Sequence, residues 1–268
     1  MSSATAIEAP KPAAEVADAG SPLRSLSLGW LAMAPLLVTY ELALLDEGAV
    51  RRNTGELALG LALRPLGEYA TYARWIALGA CAVIAWIVCR RRKVAIAAGV
   101  ARIFLEGLAC AVVLGPALVI ALRALGHQLD LSWHPSASPP RMLDAALLFG
   151  GSAWEEMLFR VGLYSLVWLL TLRFCSALGL SLGLGRAFAE VIGLSLSAGM
   201  FALAHFTPVT HWFGTGGREI DPTLFAWYAL AGVVLGLIFR LRGPGVAAWA
   251  HGLFNLALVL GVDPDVIL

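Results

Sequence analysis

The sequence predicts an all-α, polytopic transmembrane helix bundle of about seven spans. Three observations lead there. Apolar residues make up 59% of the 268-residue chain and charged residues only 14%, whereas a soluble domain carries roughly 25% charged residues. Mean hydropathy is +0.80. The apolar residues also fall into runs of about 20, the length that crosses a bilayer core. The formal net charge is +1, and no basic patch marks a nucleic-acid partner. The partner that composition implies is the lipid bilayer.

Residues 1–23 are rich in Ala, Pro, Glu and Ser without an apolar period and read as a disordered cytoplasmic tail. The first apolar run starts too late for a cleavable signal, and no basic segment precedes it, so that run is expected to stay as an anchor. Residues 24–142 read as N-terminal transmembrane helices. Residues 143–268 read as a four-span core carrying the polar motifs described below. The expected spans are 26–45, 69–89, 103–125, 143–170, 188–206, 224–241 and 245–262. The stretch 57–66 is apolar but short and holds Arg64-Pro65, which suggests an interfacial or re-entrant segment. Gly232 and Gly236, four apart, permit close helix approach. Gly243-Pro244-Gly245 marks a tight break between the last two spans.

Arg90, Arg91, Arg92 and Lys93 after the second span are the strongest cytoplasmic signal. Alternation then puts the N-terminal tail on the same side and the loops 126–142 and 207–223 on the far side. Arg51, Arg52 and Arg64 run against that assignment. Only two lysines, Lys11 and Lys93, stand among 19 basic residues. With abundant Ala, Gly and Leu, this points to a GC-rich bacterial genome and so to the inner (cell) membrane. Cys81, Cys89, Cys110 and Cys175 lie in or beside apolar runs without ligand spacing and read as small buried hydrophobes.

The chemistry is carried by polar residues inside apolar runs, where ionisable groups are costly and usually functional or internally paired. Trp154-Glu155-Glu156-Met157-Leu158-Phe159-Arg160 is the densest such stretch. On a helix, Glu156 and Arg160 are four apart and can pair. Glu155 lies about 100° round the helix from Glu156 and is free to point elsewhere. Two further constellations follow: Phe201 one turn before His205, and His251 four before Asn255. A lone intramembrane His is more often an interhelical hydrogen bond, a lone Asn is packing glue, and a Glu pair alone fits a proton relay. Together they supply a base, an orienter and hydrogen-bond donors, the inventory for hydrolysis of a carbonyl. Tyr40, Glu41 and Glu106 either line the same cavity or pair with Arg64, Arg74 or Arg102, and pairing is favoured. Glu190 is expected to pair with Arg186. His127, His134 and His211 lie in loops without metal-site spacing.

In the order Glu155-Glu156-x-x-x-Arg160, Phe201-x-x-x-His205 and His251-x-x-x-Asn255, the chain resembles the CPBP family of type II CAAX prenyl endopeptidases and bacteriocin-processing proteins. The resemblance covers about residues 143–262, and the first three spans match none of its motifs. It implies a glutamate-dependent intramembrane endopeptidase. Glu155 would activate water with help from His205. His251 and Asn255 would bind the oxyanion, while Glu156 and Arg160 would hold the motif helix and tune the site. The family is also labelled metalloprotease. Glu155, His205 and His251 could ligate zinc with one open position, but no His-Glu-x-x-His motif supports that, and the metal-free scheme, with no cofactor, is preferred. The implied partner is a protein or peptide with a membrane-associated or lipidated terminal segment, and a bacterial C-terminal-tail sorting enzyme of myxosortase type is one such reading. The competing classes are a catalytically silent scaffold or immunity-type protein of the same fold, and a transporter. A transporter commonly shows inverted repeats and paired broken helices, which the sequence lacks.

One expectation concerns depth. Upright helices at 1.5 Å per residue would leave His205 and His251 more than ~10 Å apart along the membrane normal. A shared site therefore needs tilted or shifted spans, and the expectation is a short sixth span or a recessed Gly243-Pro244-Gly245 turn.

Overall fold

The computed structural model describes residues 22–46, 52–126, 142–213 and 217–261. The tail 1–21, His127, His134 and the residues beyond 261 lie outside it, so the disordered-tail reading is not addressed. The described residues form α1 (Pro22–Ala43), α2 (Thr54–Leu63), a 3-10 segment (Arg64–Tyr69), α3 (Ala70–Arg91), α4 (Ile96–Ala124), α5 (Met142–Glu155), a π-helical segment (Glu156–Tyr164), α6 (Ser165–Ala177), α7 (Leu182–Leu203), α8 (Pro222–Arg242) and α9 (Pro244–Gly261). Among them the only non-helical pairing is one isolated parallel bridge, Phe206 with Arg218. Six helices are long and apolar enough to cross a membrane, and Pro244–Val259 is a shorter apolar helix. The outward surface carries Ile76, Ile84, Val112, Val113, Ile120 and Phe174, each more than half exposed. That distribution suits lipid rather than water, because helices satisfy their backbone internally and can present apolar side chains outward. The protein is an all-α integral membrane bundle.

Packing relies on small residues, as helix contacts in lipid do. A Cβ on Gly245 would lie 3.1 Å from the Gly29 Cα, which brings the start of α9 against α1. One on Gly107 would meet the Trp249 Cβ at 2.5 Å, setting α4 along α9. One on Gly232 would meet the Ala198 Cα at 2.9 Å, so α7 and α8 touch nearly backbone to backbone. Indole N–H groups tie the bundle across helices: Trp249 donates to the Ala32 carbonyl and Trp227 to that of Leu118, both at 2.8 Å. Two cores result. One joins α4, α7, α8 and α9 around Leu118, Phe201, Trp227, Tyr228 and Phe254. The other joins α1, α5 and α9 around Met33, Leu36, Tyr40, Leu147, Trp154 and Ala248.

Several expectations are revised. The stretch 57–66, read as interfacial or re-entrant, falls in α2 and the 3-10 segment after it. α2 is helical from Thr54, passes through the 3-10 segment with Gly67 at φ +56, and continues as α3, whose Arg74 comes back to Glu56. Glu190 pairs with Arg240 on α8 at 2.6 Å and accepts from Tyr164 and Trp168, rather than from Arg186. Glu106 does pair with Arg102, and also with Arg242. Cys89 and Cys175 are buried as expected, but Cys81 is exposed on the outward face.

Candidate active site

The fourth span is where local structure departs from a plain α-helix. At the end of the π-helical segment, the Ser165 N–H donates to the Arg160 carbonyl five residues back. A wider turn loosens the carbonyl ladder, and side chains fill in. The Ser165 hydroxyl donates to the Arg160 carbonyl at 3.2 Å, and the Ser197 hydroxyl of α7 donates to the Phe159 carbonyl at 2.7 Å. Single π turns inside α-helices are frequent at functional sites. Here the segment begins at Glu156, directly after Glu155.

The two adjacent carboxylates have different surroundings. Glu156 is fully buried: one oxygen lies 3.3 Å from Arg160 Nε and the other 3.0 Å from His251 Nδ1. Arg160 is also fully buried. Its guanidinium carbon sits 4.4 Å over the centre of the Phe201 ring, and Nη2 donates to the Gly232 carbonyl at 3.3 Å. Glu155 retains 15% side-chain exposure and faces a cavity of about 790 Å³. One of its oxygens lies 3.5 Å from His251 Nε2. His251 therefore stands between the two carboxylates, one ring nitrogen toward each.

The cavity opens along the seam between the two cores. Tyr40, Leu147 and Glu155 line it from one side, and Phe201, His205, Tyr228, His251 and Asn255 from the other. All six sequence-predicted residues are thus in or directly beside one site. The end of α7 brings the two histidines toward one depth. α8 runs a full 21 residues, so the sixth span is not short, and in the turn after it Pro244 and Gly245 are buried. α7 stops at Leu203, and His205 stacks on Tyr228 with ring centres 4.1 Å apart. Tyr228 is six residues into α8, roughly 9 Å in from its start at 1.5 Å per residue. His251 is seven residues into α9, roughly 10 Å in from the other end. The Phe201 ring bridges the remaining gap, 5.0 Å from the His205 ring and 5.6 Å from the His251 ring. Phe201 meets His205 edge-on, and the stacked partner of the imidazole is Tyr228.

His205 Nδ1 lies 2.9 Å from the Phe201 carbonyl, which fixes the ring and leaves the other nitrogen for the cavity. Asn255 Nδ2 makes a long bond, 3.4 Å, to the Leu148 carbonyl. Such a bond is weak and readily exchanged for a better acceptor. Among the described residues no three His, Cys, Asp or Glu side chains converge as metal ligands. Of the donors in the competing zinc scheme, Glu155 and His251 lie beside each other, 3.5 Å from Oε2 to Nε2, and His205 has its Nδ1 on the Phe201 carbonyl.

The N-terminal half, which matched no motif, also reaches the site. Asn53 Nδ2 donates to the second Glu155 oxygen at 2.7 Å. Beside it, Arg52, Glu56, Arg74 and Glu41 form a linked charge network, with Glu56, Arg74 and Glu41 buried. Burial works against the Arg52 charge, but its hydrogen bonds to Glu56 outweigh that and hold the guanidinium above its ordinary value. The signal for a helix start at Asn53 was readable, since Asn53-Thr54-Gly55-Glu56 has the N-cap residue and the acid three later. Nothing in the sequence gave its distant partner, 102 residues on.

The family model described as Type II CAAX prenyl endopeptidase Rce1-like matches residues 139–257. Comparison with curated proteins and with solved structures gives no match. The matched segment contains every one of the paired motifs and stops short of α1 to α4. From residue 139 to residue 257, across the helices that hold Glu155, Glu156, Arg160, His205, His251 and Asn255, the chain is similar to this Rce1-like family of CAAX-type proteases.

Proposed function

We propose that the protein is an intramembrane endopeptidase of a bacterial inner membrane, cutting a peptide bond near a terminus of membrane-associated or exported proteins. The observation that carries this reading is the unequal treatment of two neighbouring carboxylates. Glu156 is sealed against Arg160 and His251, while Glu155 faces the cavity. Glu155 takes a proton from a water, assisted from the opposite wall by His205, and the hydroxide adds to the scissile carbonyl carbon. The oxyanion accepts hydrogen bonds from Asn255 Nδ2 and the His251 ring, an oxyanion hole in a site largely shielded from water. Collapse of the tetrahedral intermediate breaks the C–N bond, and the proton on Glu155 passes to the leaving amine. Glu156 and Arg160 act on the site through His251 and Phe201.

What supports a metal-free scheme is that no His-Glu-x-x-His motif is present and that His251 Nδ1 is taken by the Glu156 carboxylate. The volume and lining of the cavity support a peptide client with an apolar, membrane-associated or lipidated terminal segment. Arg52, Asn53 and Asp144 give the cavity a polar side, and Leu147, Leu258 and Val259 an apolar one. A myxosortase-like client, with a hydrophobic C-terminal tail, fits that lining.

The test compares protein termini in membrane and secreted fractions from host cells carrying the wild-type protein or Glu155→Gln. Gln keeps the shape and cannot serve as a base. A defined set of termini should fall by about a hundredfold or more, the range of a lost general base. Unchanged termini at equal expression, with a phenotype in the deletion strain, would move the role to a non-proteolytic scaffold.

A further inference from the structure

Asn53 stands at a junction of three hydrogen bonds that point in different directions. Its Oδ1 accepts the Gly55 N–H at 2.8 Å, capping α2. Its backbone N–H donates to the Tyr40 hydroxyl at 2.7 Å, tying it to α1. Its Nδ2 then donates to Glu155 at 2.7 Å. The amide cannot be turned round without losing both side-chain bonds. The surrounding backbone is cut to fit it. A Cβ on Gly151, one turn before Glu155 on α5, would lie 2.9 Å from Asn53 Nδ2. A Cβ on Gly55 would lie 2.5 Å from the Trp154 carbonyl oxygen. Two glycines, one on each helix, thus allow the start of α2 to sit against α5 at the level of Glu155. The Thr54 hydroxyl, 3.5 Å from the Ala204 carbonyl, places the same turn beside the end of α7.

From this geometry we infer that Asn53 is the positioning residue for Glu155, supplied from outside the matched family segment. The inference rests on the hydrolytic reading of Glu155. One Glu155 oxygen faces His251 Nε2 at 3.5 Å and the other accepts from the Asn53 amide at 2.7 Å, so Asn53 makes the closer contact with the carboxylate. The amide fixes the rotamer of Glu155 and aims its His251-side oxygen into the cavity. The cap on α2 and the orientation of Glu155 come from the two ends of one amide.

Asn53→Asp separates the two roles. Asp caps a helix as well as Asn does, but it offers Glu155 an acceptor and a second negative charge in place of a donor. The host-cell termini that depend on Glu155 are the activity readout, and the melting temperature of the purified full-length protein is the second. Asn53→Asp should lower the rate of appearance of those termini at least tenfold and lower Tm by a few degrees. The Tm loss should disappear when Asn53→Asp is combined with Glu155→Gln, because the Gln amide can donate to the new carboxylate. That coupling is a double-mutant cycle and needs no substrate. Wild-type activity in Asn53→Asp, or a Tm loss unchanged by Glu155→Gln, would overturn the inference and leave Asn53 a cap alone. If Asn53→Asp does not accumulate, Asn53→Ser retains a cap and is too short to reach Glu155, and full activity there overturns the inference equally. If Glu155→Gln itself leaves the termini unchanged, it is the hydrolytic reading that fails, and the Tm cycle still decides whether Asn53 holds Glu155.

Discussion

Arg160 has few places to put its charge: it lies beside Glu156, over the Phe201 ring and near one carbonyl of α8. Both members of the Glu156–Arg160 pair are wholly buried, and removing one partner of such a pair costs about 3–5 kcal/mol because the other charge is stranded. Arg160→Met should therefore destabilise the protein by about that amount. Arg160→Met with Glu156→Gln should cost clearly less, and thermal unfolding in detergent compares the two. The reason this pair was legible in the sequence is the i, i+4 spacing inside an apolar run, where an unpaired charge has no acceptable place. His205, His251 and Asn255 were legible for the same reason. Asn53 was not, since it precedes a helix in a polar stretch where an Asn needs no explanation beyond capping. The stacking of Tyr228 on His205 was equally hidden, because an aromatic residue in an apolar helix looks like packing.

At the level of elements, the spacing of α7 and α8 is set by Gly232. A Cβ there would meet Ala198 at 2.9 Å on Cα and 3.0 Å on Cβ, backbone and stub rather than a flexible side-chain end. Gly232→Ala should cost about 1–3 kcal/mol through overpacking. It should also weaken the contact between Arg160 and the Gly232 carbonyl. Gly199→Ala on α7, where a Cβ would meet nothing within 4 Å, serves as the control and should leave Tm unchanged or slightly raised. Apolar run length was enough to find the spans, because a helix in lipid has little alternative structure to adopt. It was not enough to find their ends. α7 stops at Leu203 rather than at 206, because Phe206 is extended and Pro208 opens a separate helical turn, Thr207–Thr210. Proline favours the first turn of a helix, so that signal was present but outweighed by the apolar character of Phe206. The π-helical segment left no comparable trace: its sequence, Glu156–Tyr164, contains nothing that an α-helix could not accommodate.

At the scale of the molecule, the matched segment is not self-sufficient. α9 lies along α4 and α1 through Gly107, Gly29 and the Trp249 indole, and Glu155 is held by Asn53. Residues 142–268 made alone should reach the membrane without acquiring activity or a cooperative melting transition. A chain divided between Gly126 and Met142, with both pieces made together, should regain both. Co-purification of the pieces and recovery of the Glu155-dependent termini measure this. By contrast, the ion pairs Arg240–Glu190 and Arg242–Glu106 at the end of α8 are partly exposed and resemble surface bridges, which contribute only about 0–1 kcal/mol each. Of the two, only Arg242–Glu106 crosses between the halves, and the close packing at Gly107 and Gly29 does more to join them.

The position of His251 between Glu155 and Glu156 also has a meaning in time. Synthesis runs from the N-terminus, so Asn53 enters the membrane first, the two carboxylates next, and the helix bearing His251 last. Arg160 follows Glu156 by four residues and neutralises it at once. Glu155 meets His205 after α7 but must wait for α9 before it has His251, and on the proposed mechanism the oxyanion donors arrive on that same helix. On the proposed mechanism the nascent chain should be inert until α9 is in place. Its chemistry would then begin with the docking of α9.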